Sequence, residues 1–249
     1  MVALTAADAH LDAPRCLAIV PAFNEAASIA EVVAELRDLR PDLEVLVVDD
    51  GSTDATVAVA AAAGARVLRL PVNLGIGGAV QAGYLYAYER GFDLAVQVDG
   101  DGQHDAAELG RLLDPILAGR ADMSIGTRFA GRVTYRAPLT RRIGIGLFAT
   151  LVSLRVRQRM TDTTSGFRAV NRRGIRLFAV DYPHDYPEVE SNVTAARGAL
   201  RVCEVPVAMR ERAAGRSSIT TFGSFYYVAK VLLALFVGLF PRDALVTEE

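Results

Sequence analysis

The segment EVLVVDDGSTDATVAVAAAAG, residues 44–64, decides the fold class. Val45–Val48 is a short apolar run that predicts a buried strand, and the acidic turn Asp49-Asp50-Gly51 follows it directly. Thr53–Ala63 is rich in alanine and predicts a helix, which Gly64 ends. A strand, an acidic turn and a helix in this order are typical of the parallel α/β class, in which functional side chains follow the strands.

The same alternation continues on both sides of this segment, as far as residue 127. Further strands are predicted at Leu17–Pro21, Arg66–Leu70, Leu94–Val98 and Met123–Gly126. Further helices are predicted at Glu25–Leu39, Gly78–Arg90 and Ala106–Ala118. Because helices separate the strands, the predicted fold is α/β: a mostly parallel Rossmann-like sheet with helices on both faces.

The alternation breaks after Arg128. The pattern there predicts a loop at Gly131–Pro138, a helix at Arg141–Arg157, an extended segment at Thr163–Val170, a helix at Glu188–Arg197 that Pro187 opens, and a strand at Leu200–Val207. No repeat and no linker appears. We therefore expect one domain, residues 15–221, between a flexible tail at 1–14 and an apolar C-terminal segment at 222–249.

Composition excludes several classes of protein. The chain has 249 residues, a net charge of −2, 51% apolar and 22% charged residues, which is ordinary for a globular domain and not for a disordered or fibrous chain. The two cysteines and three histidines are scattered, so no structural zinc site or disulfide framework is predicted. No nucleic-acid partner is expected either.

The charge is unevenly distributed along the chain. Residues 1–125 carry a net charge of −11 and residues 126–249 a net charge of +9, and Lys230 is the only lysine among the basic residues. Arginine suits bidentate contacts with phosphates, although codon bias explains the preference equally well. We expect the two halves to face each other across one cleft.

The segment Phe222–Phe240 has a single charge, Lys230, in nineteen residues. At about 1.5 Å per residue a helix of this length reaches ~28 Å, slightly short of a bilayer core. Three interpretations stay open: a helix that lies in or on a membrane, a helix that packs against the domain, and a spanning helix, which the central lysine disfavours. The first residues lack the basic start and apolar run of a secretory signal.

Two acidic clusters follow predicted strands. One is Asp49-Asp50, where Ser52 or Asp54 accounts for helix capping and leaves the two adjacent carboxylates for function. The other is QVDGDGQHD, residues 97–105, in which Asp99 and Asp101 can converge on one divalent cation that keeps positions open for a phosphate. Within that run Asp105 is expected to cap the next helix, and His104 is interpreted as a polar loop residue.

Together with PAFNE at residues 21–25, these clusters resemble the inverting family 2 glycosyltransferases, specifically the dolichol-phosphate mannose synthase-like and polyprenyl-phosphate sugar synthase-like branch. The runs that carry the resemblance span residues 19–219 and are IVPAFNE, VVDDGSTD, NLGIGGAVQAG, QVDGDGQHD, GTRF, DTTSGFRAVNR and MRERAAGRSSI. The resemblance implies the GT-A nucleotide-diphosphosugar transferase fold. It also implies a cytoplasmic enzyme, peripheral to the inner face of the cell membrane.

The resemblance further implies a binding site for a nucleotide-diphosphate sugar. Its residues would be Pro21, Ala22, Asn24, Glu25, Asp49 or Asp50, Asn73, Gly75, Gly77, Asp99 and Gly100. Asp99 and Asp101, assisted by Gln103, would hold Mg²⁺ or Mn²⁺ on the donor diphosphate, where the metal neutralises the leaving group. Donor and acceptor phosphates would be contacted by Arg128, Arg141 or Arg142, Arg210, Arg212, Arg216 and Ser217. Arg155, Arg157, Arg159, Arg172 and Arg173 are interpreted as solvated loop charges.

The acceptor and the base stay open at this point. A polyprenyl phosphate is already anionic and needs no base, whereas a sugar hydroxyl of a cell-wall or surface glycan must lose a proton. Glu190, with Glu188 beside it, is the first candidate catalytic base and Asp162 the second. Placement in the first turn of a helix explains the two glutamates almost as well.

Two other functions are weighed. A Rossmann oxidoreductase is disfavoured, because residues 75–80 read GIGGAV and lack the third glycine of the dinucleotide motif. A non-catalytic nucleotide-sugar binding protein is the more distant alternative. The sequence alone does not fix the donor nucleotide, the sugar or the oligomeric state.

Overall fold

The computed structural model describes residues 13–128, 153, 161–162, 164–184 and 187–210. Its strands are β1 (Cys16–Ala22), β2 (Glu44–Asp49), β3 (Arg66–Arg69), β4 (Leu94–Gln97), β5 (Met123–Thr127), β6 (Arg168–Asn171) and β7 (Val202–Pro206). Its helices are α1 (Ile29–Leu39), α2 (Thr56–Ala62), α3 (Gly75–Glu89), α4 (Leu109–Leu117), α5 (Arg172–Val180) and α6 (Pro187–Arg197), with a short 3₁₀ turn at Ala106–Glu108.

The strands form one sheet in the order β3-β2-β1-β4-β6-β5-β7. All neighbours pair in parallel except β6, which is antiparallel to both β4 and β5. The predicted mostly parallel sheet is thus confirmed. The chain order reverses between β1 and β4, and ligands in open α/β sheets bind at such a switch point, beyond the carboxyl ends of the strands.

Helices cover both faces of the sheet, as predicted. One face packs under α3 and α5, where the rings of Tyr84, Phe178 and Tyr182 lie 5.2–5.4 Å apart, and Gly83 lets α3 approach Ile19 of β1. The other face packs under α1, α2 and α4. Both cores are built from apolar side chains that lose nearly all solvent contact, each contributing about 1.5–3 kcal/mol for a large side chain.

The first helix begins four residues later than predicted. Glu25–Ser28 forms a turn, and the carbonyl of Glu25 accepts hydrogen bonds from the Ser28 and Ile29 amides. Asn24, just before it, has a φ of 56°, which asparagine tolerates better than most residues. The polar residues of PAFNE therefore stay in a loop at the strand end.

Helix α5 was not predicted, and Arg172 and Arg173 lie in its first turn and not in a loop. The side chain of Asn171 caps this helix, because its Oδ1 accepts hydrogen bonds from the amides of Arg173 (3.0 Å) and Gly174 (3.1 Å). Two successive arginines and a glycine obscure the apolar period that the later residues show.

Several sequence expectations fall outside the described residues. They concern the loop at 131–138, most of the helix at 141–157 and the apolar segment 222–240. Within the described ranges, no helix combines the length and apolar character needed to cross a bilayer.

Candidate active site

The loops that follow β1 and β2 are tied together at the carboxyl edge of the sheet. Ala22 pairs with Asp49 at the ends of the two strands. The amide of Asn24 donates to Ser52 Oγ (2.9 Å), and Asn24 Oδ1 accepts from the amide of Thr53 (2.9 Å). Two of the sequence motifs, PAFNE and DDGSTD, therefore form one wall of a single site.

The adjacent carboxylates Asp49 and Asp50 have different surroundings. Asp50 is buried, and its Oδ1 accepts a 2.7 Å hydrogen bond from the amide of Leu74, which fixes the start of α3. Asp49 is also buried, and its Oδ1 accepts from the amide of Ser52 (3.3 Å). Its Oδ2 has no hydrogen-bond partner in the described part of the chain, and Arg69 Nε lies 3.8 Å away.

The loop before α3 closes the far side of this wall. Asn73 Oδ1 accepts from the amide of Gly75 (3.1 Å), and Gly75 has a φ of 79° with open space where a side chain would be. Gly77, which the resemblance implies as a nucleotide-binding residue, lies against a neighbouring loop of the chain. A methyl group there would lie 2.4 Å from the carbonyl oxygen of Pro183 and 2.6 Å from His184, so this glycine allows α3 to pack closely.

The loop after β4 carries the predicted metal ligands. Asp101 is buried, and its Oδ1 accepts a 3.0 Å hydrogen bond from the amide of Gln103. The carbonyl of Gly100 accepts a 2.8 Å hydrogen bond from Ser28 Oγ, and this hydroxyl also contacts Glu25 Oε2 (3.1 Å). These contacts join the loop after β4, residues 98–105, which is called the metal loop for its predicted ligands, to the PAFNE loop.

His104 is more than the polar loop residue the sequence suggested. Its ring is buried, stacks on Phe167 at 4.8 Å, and accepts the amide hydrogen of Asp99 at Nδ1 (3.0 Å). Nε2 therefore carries the hydrogen of the neutral ring and lies 3.4 Å from Asp99 Oδ2. Burial lowers the pKa of His104 to about 4. The neutral His104 ring thus contacts both the backbone amide and the carboxylate of Asp99 and orients this residue.

Gly166 approaches the same carboxylate from another side. A methyl group on Gly166 would lie 3.1 Å from both carboxylate oxygens of Asp99 and 3.3 Å from Gln97 Nε2. Neither Gly166 nor His104 was singled out as a site residue from the sequence. The sequence indicates a role for them only through their neighbours, because Gly166 lies in TTSGFR and His104 in DGQHD, two runs that carry the family resemblance.

Arg128, which is partly buried, forms an ion pair with the buried Asp162 at the end of β5. Arg128 Nε donates to Asp162 Oδ2 (2.7 Å) and Nη2 donates to Oδ1 (2.8 Å). Arg128 Nη2 also donates to Thr164 Oγ1 (2.9 Å). The side chain of Asp162 has no exposed surface, and both its oxygens contact Arg128. This geometry disfavours Asp162 as a proton acceptor and makes it a support for Arg128.

Glu188 and Glu190 lie in the first turn of α6. Burial raises the pKa of Glu188, and the negative charge of Asp99 acts in the same direction, against the effect of Arg168. A carboxyl group with a raised pKa near the metal loop is suited to proton transfer.

Arg210 forms contacts with carboxylates of its own chain. Its guanidinium donates to Glu35 (2.8 and 2.6 Å) and to Asp105 Oδ1 (2.9 Å), and its amide donates to the carbonyl of Gln103 (2.9 Å). Asp105 also accepts from the amide of Ala107, as the predicted cap requires. The other predicted phosphate ligands, Arg141, Arg142, Arg212, Arg216 and Ser217, lie outside the described residues.

The donor set fits a divalent cation that shares its coordination with a ligand. No group of three histidine, cysteine, aspartate or glutamate side chains forms a metal site within the described ranges. The side chains of Asp99, Asp101 and Gln103 carry only hard oxygen atoms as candidate ligands, and all three residues belong to one short loop. Mg²⁺ and Mn²⁺ prefer such ligands, and Mg²⁺ sites commonly combine one or two carboxylates with substrate phosphates.

Among the curated sequences that are similar to this chain are two bacterial mannosyltransferases. Undecaprenyl-phosphate mannosyltransferase of Micrococcus luteus is 33% identical over 215 residues, which cover 83% of this chain and 88% of that protein. Polyprenol monophosphomannose synthase of Mycolicibacterium smegmatis is 33% identical over 216 residues, covering 83% and 81%. The sequence resemblance to this branch is confirmed.

Solved structures confirm the GT-A-like fold. Glucosyl-3-phosphoglycerate synthase of Mycobacterium tuberculosis, in complex with Mn²⁺, UDP and phosphoglyceric acid, superimposes with a TM-score of 0.69 at 22% identity, covering 90% of this chain and 78% of that one. A second structure of that protein contains Mg²⁺ and UDP and has a TM-score of 0.67 at 22% identity, covering 92% and 81%. The family model for glycosyl transferase family 2 matches residues 17–180. The chain described here therefore belongs to glycosyl transferase family 2.

Proposed function

We propose that this glycosyltransferase moves a sugar from a nucleotide-diphosphate donor to a polyprenyl phosphate, with inversion at the anomeric carbon and with Mg²⁺ or Mn²⁺ as cofactor. The observation that carries the proposal is the joining of three acidic or polar loops, after β1, β2 and β4, at the switch point of the sheet. The two mannosyltransferases at 33% identity support the acceptor class and make mannose the first sugar to test.

In the proposed reaction an acceptor phosphate oxygen attacks the anomeric carbon. The new carbon–oxygen bond forms as the bond to the donor diphosphate breaks, and the electron pair leaves with the nucleoside diphosphate. Asp99, Asp101 and Gln103 would hold the cation, which neutralises charge on that leaving group. The orientation of Asp99 by His104 would keep one of these ligands in place before the donor binds.

The nucleotide would lie against the wall formed by the β1 and β2 loops. Asp49 is the better placed of the two adjacent aspartates to recognise the base, because the described structure offers no hydrogen-bond donor to its Oδ2 while Asp50 is engaged by Leu74. Pro21, Ala22, Asn24, Glu25, Asn73, Gly75 and Gly100 complete the proposed pocket.

Two anionic substrates beside an acidic metal loop require positive charge. Arg128 is held by Asp162 and Thr164 at the carboxyl end of β5 and is the proposed contact for a substrate phosphate. Arg141, Arg142, Arg212, Arg216 and Ser217 are proposed to add further contacts. The segment 222–240 is proposed to keep the protein at the inner membrane surface, where a polyprenyl phosphate is found.

A sugar hydroxyl is the second candidate acceptor. The raised pKa of Glu188 and the presence of Glu190 in the same first turn of α6 favour a base, which only a hydroxyl acceptor needs. Replacing Glu190 by glutamine separates the two candidates. Lost turnover would favour the hydroxyl, and retained turnover the phosphate.

The central experiment is a donor screen with short-chain polyprenyl phosphate and Mn²⁺, in which released nucleoside diphosphate is measured. Guanosine, uridine and thymidine donors of mannose, glucose and rhamnose form the panel. Asp101→Asn is expected to abolish turnover and to weaken metal-dependent donor binding. Asp114→Asn, an exposed change on α4, is the matched control and should leave both unchanged. Unaltered turnover in Asp101→Asn would contradict the metal assignment.

A further inference from the structure

Arg168 is an arginine almost entirely removed from solvent, with 1% of its surface exposed. It lies at the start of β6, where its backbone pairs with Gln97 of β4 and Ile125 of β5. Burying a guanidinium costs several kcal/mol unless its donors are satisfied, and an apolar side chain of similar volume usually serves a core equally well. A specific role must therefore account for this residue.

The guanidinium joins two segments that are distant in sequence. Its Nε donates to the carbonyl of Ser165 (2.7 Å), Nη1 donates to Ser191 Oγ, and Nη2 donates to the carbonyl of Glu188. All three acceptors that the described residues offer it are uncharged. Arg168 therefore connects three acceptors through separate N–H groups, and it forms no ion pair with the residues that the structure describes.

One of these contacts leads to the metal loop. The carbonyl of Ser165 belongs to the peptide that precedes Gly166, and Gly166 lies directly against Asp99. A methyl group there would come within 3.1 Å of both carboxylate oxygens. The hydrogen bond from Arg168 to Ser165 thus fixes the backbone at residues 165–166, against which the Asp99 carboxylate packs.

The other two contacts lead to α6. Glu188 and Ser191 lie in its first two turns, beside Glu190. A helix N-terminus is electrostatically positive, so a buried cation there is unfavourable for the helix itself. The contacts of Arg168 with Glu188 and Ser191 instead hold this end of α6 at a set distance from the metal loop.

We propose that Arg168 is a positioning residue that sets the separation between the metal-binding carboxylate Asp99 and the first turn of α6, through Ser165 on one side and Glu188 with Ser191 on the other. The inference rests on the proposed function. It assigns Arg168 to the metal and transfer geometry and not to donor nucleotide recognition, because its contacts do not involve the loops after β1 and β2.

The test compares Arg168→Lys with the unaltered protein. Lysine keeps the charge but has a single ammonium group, which cannot span three acceptors. We expect Mn²⁺ affinity in the presence of nucleoside diphosphate, followed from the signal of free Mn²⁺ by electron paramagnetic resonance, to fall 10- to 100-fold, as it does when outer-sphere supports of metal ligands are lost. We expect kcat to fall by a similar factor while the donor KM at saturating Mn²⁺ changes less than threefold.

The matched control is Arg201→Lys. Arg201 also donates both to a carbonyl and to a neighbouring side chain, but at the opposite edge of the sheet. It should leave Mn²⁺ affinity and kcat unchanged. Ser191→Ala removes one acceptor and is expected to give a smaller loss, and in the Arg168→Lys background it should add little, because the shared bond is already gone.

The outcomes are distinguishable. If Arg168→Lys lowers only the Tm and binds Mn²⁺ as tightly as the unaltered protein, Arg168 is structural and the inference is wrong. A misfolded Arg168→Lys leaves Ser191→Ala to decide on the same Mn²⁺ readout. If the unaltered protein binds Mn²⁺ and nucleoside diphosphate but transfers no sugar to a polyprenyl phosphate, the proposed function fails while the Mn²⁺ comparison still judges Arg168.

Discussion

A single methyl group added at Gly166 should disturb the Asp99 carboxylate directly. In Gly166→Ala the new methyl group would contact both oxygens of Asp99 at 3.1 Å, so the carboxylate has to rotate or move. We expect kcat to fall 10- to 100-fold and the Mn²⁺ concentration for half-maximal rate to rise, both measured by nucleoside diphosphate release.

Gly110→Ala is the control for that substitution. Gly110 lies on α4 with nothing within 4 Å of the added methyl group, so alanine should leave activity unchanged and raise the free energy of unfolding by up to about 1 kcal/mol. Equal activity in both variants would show that the carboxylate tolerates the intrusion.

The neighbouring aspartates 49 and 50 should separate into a binding role and a structural role. Asp50→Ala removes the acceptor of the Leu74 amide and should cost about 1–3 kcal/mol in the free energy of unfolding. Asp49→Asn keeps an acceptor for Ser52 and should lower stability less, while raising the donor KM at least tenfold. Thermal melting and donor kinetics on the two variants check this division. A larger KM effect from Asp50→Ala would reverse it.

At the scale of secondary structure, the sequence predicted the bounds of five of the seven strands closely. Strands β1 to β5 lie within one residue of their predicted bounds, and the clearest of them, β1, β2 and β4, are buried parallel strands whose apolar residues form continuous runs. The antiparallel direction of β6 was not predictable, since the apolar pattern of a short strand indicates where the strand lies and not the direction in which it pairs. Helix α5 was missed because its cap, Asn171, is followed by two arginines.

The candidate site was predictable to the extent that its residues occupy strand ends. Asp49, Asp99 and Asp101 were found because carboxylates at that position exceed what capping needs. His104 and Arg168 were not, because their roles follow from contacts with residues close in space, namely Asp99 for the histidine and α6 for the arginine. Such contacts leave no period or spacing in the chain.

Asp122 fastens β5, β6 and β7 at the edge opposite the site, which predicts a pH dependence. Hydrogen bonds from Arg201 hold the pKa of Asp122 well below its ordinary value, with further help from Asn171. A carboxyl with a lowered folded-state pKa contributes stability that is complete above its unfolded value, about pH 4, and is lost as pH falls below it.

Asp122→Asn should therefore lower the free energy of unfolding at pH 7, on the order of 1 kcal/mol because exposed Arg201 keeps the pair partly screened. The difference from the unaltered protein should shrink steadily between about pH 4 and pH 2. Urea unfolding at a series of pH values measures it. A difference that stays constant with pH would show that the charge of Asp122 contributes nothing.

For the molecule as a whole, only some arginines of the basic half lie where they can face the acidic loops across one cleft. Arg128, as expected, and Arg168 both lie at the carboxyl edge of the sheet. Arg173 and Arg201 gather instead around Asp122 at the other edge, and Arg210 contacts Glu35 and Asp105. Of these three only Arg210 was expected to contact a substrate phosphate, and it pairs instead with carboxylates of its own chain.

Membrane attachment belongs to the scale of the whole chain, and the segment 222–240 decides it. If this segment lies on the bilayer, the 249-residue chain should float with vesicles that contain an anionic phospholipid, and a chain ending at residue 221 should not. The truncated protein should keep the Tm of the full chain, since an interfacial helix contributes nothing to the core in solution. Flotation and thermal melting measure the two quantities.

The two competing interpretations of that segment give different results in the same experiment. A helix packed on the domain would leave the 249-residue chain unbound to vesicles, and truncation would lower the Tm because buried apolar surface is lost. A spanning helix would resist extraction from the vesicles at alkaline pH, whereas an interfacial one is released. Lys230→Leu sharpens the distinction: removing the central charge favours insertion, so extraction should become harder only if the helix already enters the apolar layer. Flotation that survives truncation would place the membrane contact within residues 1–221 and refute both interpretations that make this segment the anchor.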